Sequence, residues 1–238
     1  MRVPDGWLVP GIVVALASLA WYAQEIRRYG YILWAGLDLN VYQGGGTAFR
    51  HGQPVYDLAW TKIDLPYTYP PVTLLPNALL SLLNHRHGLE LMSLVTLACI
   101  AAAAWYAMGM AGVSGGRGRL GLAVAIGGLS VWLEPVLLTM NLGQVNAIVL
   151  LLVIADLAQP DHRRIKGLGV GLAAGIKLVP GLFIVYLLLT RRIRAGLVAS
   201  GVFLGTVALG FVVAPGDSLD YWGGKFYDDK RVASVVGP

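Results

Sequence analysis

Long apolar runs separated by short polar connections dominate the chain and predict membrane-spanning helices. A bilayer core of about 30 Å needs roughly 20 apolar helical residues, because unpaired backbone polar groups are too costly in lipid. We therefore expect an all-α polytopic membrane protein, a single membrane domain over residues 1–238 with about seven transmembrane or half-spanning helices. The apolar runs are Trp7–Ala23, Pro70–Leu83, Leu89–Ala111, Leu120–Met140, Leu142–Leu157, Leu168–Leu189 and Ala195–Ala214.

Two polar segments are longer than the other connections. Residues 24–69, called the first loop below, follow the predicted first span at 7–23, and we expect short interfacial helices within them. The remaining predicted spans occupy residues 70–214, and the polar residues 215–238 form what we call the tail.

Composition excludes several classes of protein. Only 13% of the 238 residues are charged, against about 25% in an ordinary soluble domain, and the mean hydropathy is +0.65. The single cysteine, Cys99, excludes a disulfide framework, and the four histidines have no zinc-site spacing. We expect neither a metal nor another cofactor.

The distribution of charge predicts an orientation. The net charge of +5 comes from short basic loops, with no basic stripe for a nucleic acid to follow. The first loop carries four basic and four acidic residues, and the tail carries four acidic residues against three basic ones. By the positive-inside rule, we expect a multi-pass cell-membrane protein whose first loop and tail are extracytoplasmic. The basic loops contain Arg117 and Arg119, then Arg163, Arg164 and Lys166, then Arg191, Arg192 and Arg194; the tail acids are Asp217, Asp220, Asp228 and Asp229.

The run Leu168–Leu189 has basic loops on both sides, which conflicts with a single crossing. Two half-helices that turn near Lys177 and Pro180 keep both loops on the cytoplasmic side, so we favour a hairpin. Pro70–Leu83 is similarly short and contains Pro76.

Two groups of residues in the first loop are candidates for substrate binding. Asp38 and Tyr42 lie shortly after the first span, and Tyr69 precedes Pro70 where the chain re-enters the membrane. The alternative is structural: Asp38 as a solvated carboxylate or helix cap, and Tyr69 as an aromatic residue at headgroup level.

Polar residues within the apolar runs are the other candidates. Glu134 and Pro135 interrupt one run, Gln144 and Asn146 follow it, and Lys177 lies inside another. An ionisable residue within a span is a functional candidate by default, although a lysine is also able to extend to the interface.

Four motifs in this order resemble glycosyltransferase family 87, the polyprenyl-phosphate-mannose-dependent α-(1,2)-mannosyltransferases of GT-C fold. The matching residues are Asp38, Val41 and Tyr42 with Gly44 and Gly45; Tyr69, Pro70 and Pro71; Gly143, Gln144, Val145 and Asn146; and Lys177 and Pro180 before Arg191 and Arg192.

The resemblance implies an inverting mannosyltransferase that acts on the outer face. Its donor is a polyprenyl-phosphate sugar, its acceptor is a glycolipid or lipoglycan, and Asp38 is the general base. We assign the departing phosphate to Lys177 or Arg50. The other expected substrate-binding residues are Tyr42, His51, Tyr69, Gln144 and Asn146.

Members of that family are longer, so we expect this chain to correspond to their N-terminal part. Two other readings stay open. Broken helices also suit a transporter or flippase for lipid-linked sugars, although the internal repeats usual in transporters are absent from the sequence. The length also suits an inactive fragment or a scaffold subunit.

Overall fold

The computed structural model describes residues 1–29, 36–61 and 64–228, and its regular elements are helices, which confirms the all-α class. Parts of the first loop (30–35, 62–63) and of the tail (229–238, including Asp229) lie outside the described residues. The α-helices are α1 Leu8–Tyr29, α2 Leu37–Arg50, α3 Leu74–Leu80, α4 His85–Met110, α5 Arg117–Leu129, α6 Glu134–Leu142, α7 Asn146–Leu157, α8 Leu168–Ile176, α9 Leu182–Leu189, α10 Ile193–Val213 and α11 Pro215–Asp220.

Within the described residues, three helical segments are long and apolar enough to cross a membrane: Asp5–Arg28, His85–Met110 and Ile193–Val213. A fourth crossing is formed if the bent pair Arg117–Trp132 and Glu134–Leu142 acts as one span. The shorter apolar helices are Pro71–Leu80, Asn146–Leu157 and Val179–Leu189. The expected total of about seven spanning or half-spanning helices stays a prediction.

The predicted interruption at Glu134 and Pro135 is present. The chain bends by 78° between the two helical segments, and Leu133 has an extended backbone at the break. Pro135 lies in the first turn of α6, where its missing N–H costs nothing because that group has no helical partner.

The chain divides into two compact units, each built from two stretches of sequence. The first unit comprises residues 1–35 and 89–163, and the second comprises residues 36–88 and 164–238.

In the first unit, α1 and α5 run parallel in close contact. The Cα of Gly121 lies against the backbone of Trp7, and Gly128 lies against Ala15. The Ser18 hydroxyl donates a hydrogen bond to the Gly128 carbonyl at 2.8 Å. The start of α1 therefore lies at the same end as the basic loop before α5.

In the second unit, α8 and α9 form a hairpin against α10. Gly171 contacts Ala199 and Gly175 contacts Thr206, so α8 runs parallel to α10. Leu188, near the end of α9, contacts Gly196 near the start of α10. The chain therefore returns to the end from which it came, and the predicted turn near Lys177 and Pro180 is confirmed.

Candidate functional site

Helix α2 carries Asp38 in its first turn. Gly36 precedes the helix in the left-handed conformation, with φ of 73°, which suits glycine because it has no Cβ. Asp38 is half-buried, whereas Leu39 and Tyr42 are fully buried. A carboxylate at this position is stabilised by the positive end of the helix dipole.

Three successive glycines allow α2 to pack closely against its neighbours. The Cα of Gly44 faces the ring of Trp60, Gly45 faces the ring of Tyr67, and Gly46 faces the backbone of Asn77. A Cβ at Gly46 would overlap the Asn77 carbonyl. The glycine motif of the sequence is therefore a packing surface, against which Trp60 and Tyr67 of the later first loop and Asn77 of α3 lie.

Five buried tyrosines, which we call the tyrosine cluster, pack beside α2. Their rings meet mostly edge to face, with centroids 5.1 Å apart for Tyr42 and Tyr69 and 5.7 Å apart for Tyr56 and Tyr67. Such arrangements stabilise aromatic pairs beyond the burial of their area. The members are Tyr42, Tyr56, Tyr67, Tyr69 and Tyr221.

Hydrogen bonds fix the orientation of Tyr69. The Tyr42 hydroxyl donates to the Tyr69 hydroxyl at 2.9 Å, and the Tyr56 hydroxyl donates to the Tyr69 carbonyl at 2.6 Å. Both bonds are buried, so their polar atoms have partners in place of water. The ring of Tyr69 is thereby held at both its hydroxyl and its backbone.

Tyr67 is anchored separately. Its hydroxyl accepts a hydrogen bond from the Asn77 amide at 2.7 Å and pairs with the Thr73 hydroxyl at 2.6 Å. The Thr73 hydroxyl also donates to the Pro70 carbonyl, which shapes the turn by which the chain leaves the cluster.

Asp38 and Lys177 approach Tyr69 from different elements: Asp38 lies one helical turn before Tyr42, which bonds to Tyr69, and Lys177 lies at the α8–α9 turn. Burial raises the pKa of Tyr69 to about 12; the negative charge of Asp38 adds to this rise, and the hydrogen bond from Tyr42 opposes it. The Lys177 ammonium lies 5.9 Å from the centroid of the Tyr69 ring, within the range of a cation–π contact. The turn of the α8–α9 hairpin thus brings a cation to the same tyrosine that the Asp38 carboxylate influences.

This arrangement combines one carboxylate, one ammonium group and several hydroxyls. A carboxylate is able to accept a proton from a substrate hydroxyl, and an ammonium group is able to stabilise a phosphate that gains charge on leaving. The site therefore has the groups needed to move a sugar from a phosphate to an alcohol.

The model of glycosyltransferase family 87 matches residues 67–237, more than two thirds of the chain. The chain belongs to glycosyltransferase family 87. This matches the resemblance found in the sequence motifs, and it agrees with the several apolar helices of the fold.

Relatives of this family 87 chain occur in mycobacteria. It is 33% identical, over 97% of its length, to a polyprenol-phosphate-mannose-dependent alpha-(1-2)-phosphatidylinositol mannoside mannosyltransferase of Mycobacterium tuberculosis. The protein of the same name in Mycolicibacterium smegmatis is 30% identical over 92% of the chain. A phosphatidylinositol pentamannoside mannosyltransferase of Mycobacterium tuberculosis is 30% identical over 93% of the chain.

The chain spans about half the length of the curated relatives it matches, 56% of the first two and 50% of the third. No solved structure matches it.

The structure separates the predicted site residues of this family 87 chain. Arg50 and His51 lie at the opposite end of α2, about 18 Å along its axis from Asp38 at 1.5 Å per residue. Both side chains are exposed; the Arg50 guanidinium donates to the Ser81 hydroxyl at 3.4 Å, and the His51 ring bonds the Thr47 carbonyl. The structure does not bring either residue to Asp38.

Gln144 and Asn146 belong to the first unit, so their part in the site stays a prediction. Gln144 follows Gly143, which has the left-handed conformation, in the turn after α6, and Asn146 is the first residue of α7. The Asn146 amide donates to the Gln144 side-chain oxygen at 2.6 Å, so the two groups orient each other.

Sequence reasoning missed Tyr56 and Asp217. Tyr56 holds the Tyr69 carbonyl, and the Asp217 carboxylate accepts a hydrogen bond from the Val55 backbone at 2.8 Å. The concentration of tyrosines in the two polar segments was a signal for Tyr56. The sequence carries no comparable signal for Asp217, because its partner is a backbone group more than 160 residues away.

Proposed function

We propose that the protein is a membrane mannosyltransferase that uses a polyprenyl-phosphate-mannose donor and a glycolipid or lipoglycan acceptor. Family membership supports this proposal, as do the names of the mycobacterial relatives. The observation that carries it is the position of Tyr69. Its hydroxyl bonds to Tyr42, one turn of α2 from Asp38, and its ring lies 5.9 Å from the Lys177 ammonium.

In the proposed reaction, Asp38 is the general base. Its carboxylate takes the proton of an acceptor hydroxyl as that oxygen attacks the anomeric carbon of the donor. The bond from that carbon to the phosphate oxygen breaks, the electron pair leaves with the polyprenyl phosphate, and the configuration inverts. A phosphate is already a good leaving group, so a single carboxylate suffices, unlike the paired carboxylates of glycosidases.

We assign the departing phosphate to Lys177 and not to Arg50. Lys177 lies over the Tyr69 ring, whereas Arg50 lies at the far end of α2. Tyr42 and Tyr69, whose hydroxyls are joined at 2.9 Å, are the neighbouring groups that we expect to contact the substrates.

The charges of the second unit support an active site on the extracytoplasmic side. Basic residues precede both α8 and α10, and these two helix starts lie at one end of the unit. Pro71, close to Tyr69, packs on Gly210 near the opposite end of α10. Since α10 is about 31 Å long, it is long enough to cross the bilayer core. By the positive-inside rule we expect the basic end in the cytoplasm and the Tyr69 end outside.

The test uses membranes that contain the natural protein, a radiolabelled polyprenyl-phosphate-mannose and a phosphatidylinositol mannoside acceptor. The proposal expects label in the acceptor lipid, in a linkage of inverted configuration. Movement of the donor across the bilayer without transfer would support a lipid-linked sugar transporter. Neither transfer nor movement would support a scaffold, and either of these two results would contradict the proposal.

A further inference from the structure

Three consecutive residues of the first loop, which we call the 55–57 strip, are each contacted by a different residue of the tail. The contacts differ in kind: a backbone hydrogen bond, a ring contact and an ion pair. Their partners are Asp217 for the Val55 N–H at 2.8 Å, Tyr221 for the Tyr56 ring at 5.3 Å between centroids, and Lys225 for the Asp57 carboxylate.

The same strip connects inward to the candidate site. The Tyr56 hydroxyl donates to the Tyr69 carbonyl at 2.6 Å, and Tyr56 is only 2% exposed. Tyr69 bonds to Tyr42, one turn of α2 from Asp38, and its ring lies 5.9 Å from the Lys177 ammonium. A continuous series of hydrogen bonds and backbone therefore joins the tail to the tyrosine at the centre of the site.

Of the three tail contacts, the one from Asp217 is a hydrogen bond to a backbone group. Val55 is fully buried, so its N–H has no access to water and needs an acceptor from the protein. The first turn of α11 supplies that acceptor, and Ser218, the next residue, is buried near Gly210 of α10. The half-buried Asp217 carboxylate is thus carried by a helix that the buried Ser218 anchors against α10.

We propose that Asp217 is a positioning residue, which acts through Val55 and Tyr56 to hold Tyr69 beside Asp38 and Lys177. This inference rests on the proposed function but goes beyond it, because Asp217 touches none of the reacting groups. It also gives the tail a part in catalysis, because the tail contacts hold the segment that is bonded to Tyr69.

Asparagine is the matched substitution at this position. Its side-chain oxygen accepts a hydrogen bond from the Val55 N–H in the same geometry and carries no charge. Burial raises the pKa of the Asp217 carboxyl, although the bond from Val55 opposes this, so an uncharged acceptor suits the surroundings. Asp217→Ala removes the acceptor altogether.

The experiment compares Asp217→Ala, Asp217→Asn and the control Asp228→Asn in the natural protein. Asp228 is an exposed carboxylate of the same tail. Transfer kinetics are measured with varied donor, and backbone hydrogen exchange is measured by mass spectrometry over residues 55–57 and 67–69. A thermal unfolding curve shows which variants are folded at the assay temperature.

We expect Asp217→Ala to lower kcat roughly ten- to a hundredfold with little change in the donor KM, since misplacement of about 1 Å has effects of this size. Exchange should increase at both segments in the alanine variant. Asp217→Asn should stay within about threefold of the wild type by both measurements, and Asp228→Asn should match the wild type.

Three results would overturn the inference: faster exchange with an unchanged kcat, a loss expressed only in the donor KM, or equal losses in the alanine and asparagine variants. If Asp217→Ala does not fold, Asp217→Leu, which keeps the side-chain shape but cannot accept the bond from Val55, takes its place in the same measurements. If the wild type transfers no mannose, the proposed function fails, and the exchange data still show whether Asp217 holds the 67–69 segment.

Discussion

The buried hydroxyl of Tyr67 supports the turn that leads into the Tyr69 site, and its removal has a calculable cost. In Tyr67→Phe the Thr73 hydroxyl keeps its bond to the Pro70 carbonyl, but the Asn77 amide loses the acceptor it had at 2.7 Å. Asn77 is only 7% exposed, so water does not replace that acceptor. A buried donor without a partner costs about 1–3 kcal/mol, so we expect a loss of about 2 kcal/mol in the free energy of unfolding.

That loss equals about a thirtyfold change in the ratio of folded to unfolded protein. Equilibrium unfolding in mixed micelles, followed by tryptophan fluorescence, measures it. Tyr227→Phe is the matched control: its ring is 69% exposed, and we expect a change within about 0.5 kcal/mol.

A double-mutant cycle tests the reasoning itself. In Tyr67→Phe/Asn77→Leu neither partner is left unpaired, so the double variant should be more stable than the sum of the two single losses by about 1 kcal/mol or more. Additive losses, or a Tyr67→Phe variant as stable as Tyr227→Phe, would refute the argument.

Three further predictions concern the helix packing, the tyrosines and the cation. Gly46→Ala should destabilise the protein by about 2 kcal/mol, because overlap with the Asn77 backbone outweighs the gain in helix propensity. Gly205→Ala, in open space on α10, should be neutral or stabilising by up to about 1 kcal/mol, and equal unfolding curves for the two variants would contradict this. Burial raises the pKa values of Tyr67, Tyr69 and Tyr221, so their contribution to stability is complete below about pH 10 and is lost as the pH rises through the raised values. A titration followed by tyrosinate absorbance measures this, and ionisation of these tyrosines at the ordinary pKa in a folded protein would contradict the prediction. Lys177→Met should lower the rate of mannosyl transfer about ten- to a hundredfold, and Arg50→Met less than twofold, when the donor is varied. The reverse order would assign the departing phosphate to Arg50.

The sequence was informative wherever a local rule decides the structure. Apolar length located the long helices, the Glu134–Pro135 pair located the bend, and the balance of basic loops located the hairpin turn at Lys177. Each of these depends on neighbouring residues and on the bilayer, so no knowledge of distant contacts was needed.

The candidate site was only partly predictable for the opposite reason. Asp38, Tyr42, Tyr69 and Lys177 were singled out, and the structure brings them together, but Arg50 lies a helix length away although it is near Asp38 in sequence. Helix α2 separates residues that a loop would have kept close. The bond between Asp217 and Val55 depends on tertiary packing alone, which residue patterns do not contain.

The central claim is that the Asp38 carboxylate removes the proton from the acceptor hydroxyl. The most direct measurement is the rate of mannosyl transfer by Asp38→Asn, compared with Asp64→Asn, an exposed carboxylate of the same loop, at equal amounts of folded protein. We predict that Asp38→Asn loses at least about a hundredfold in kcat while Asp64→Asn keeps the wild-type rate. Transfer by Asp38→Asn at the wild-type rate would contradict the account.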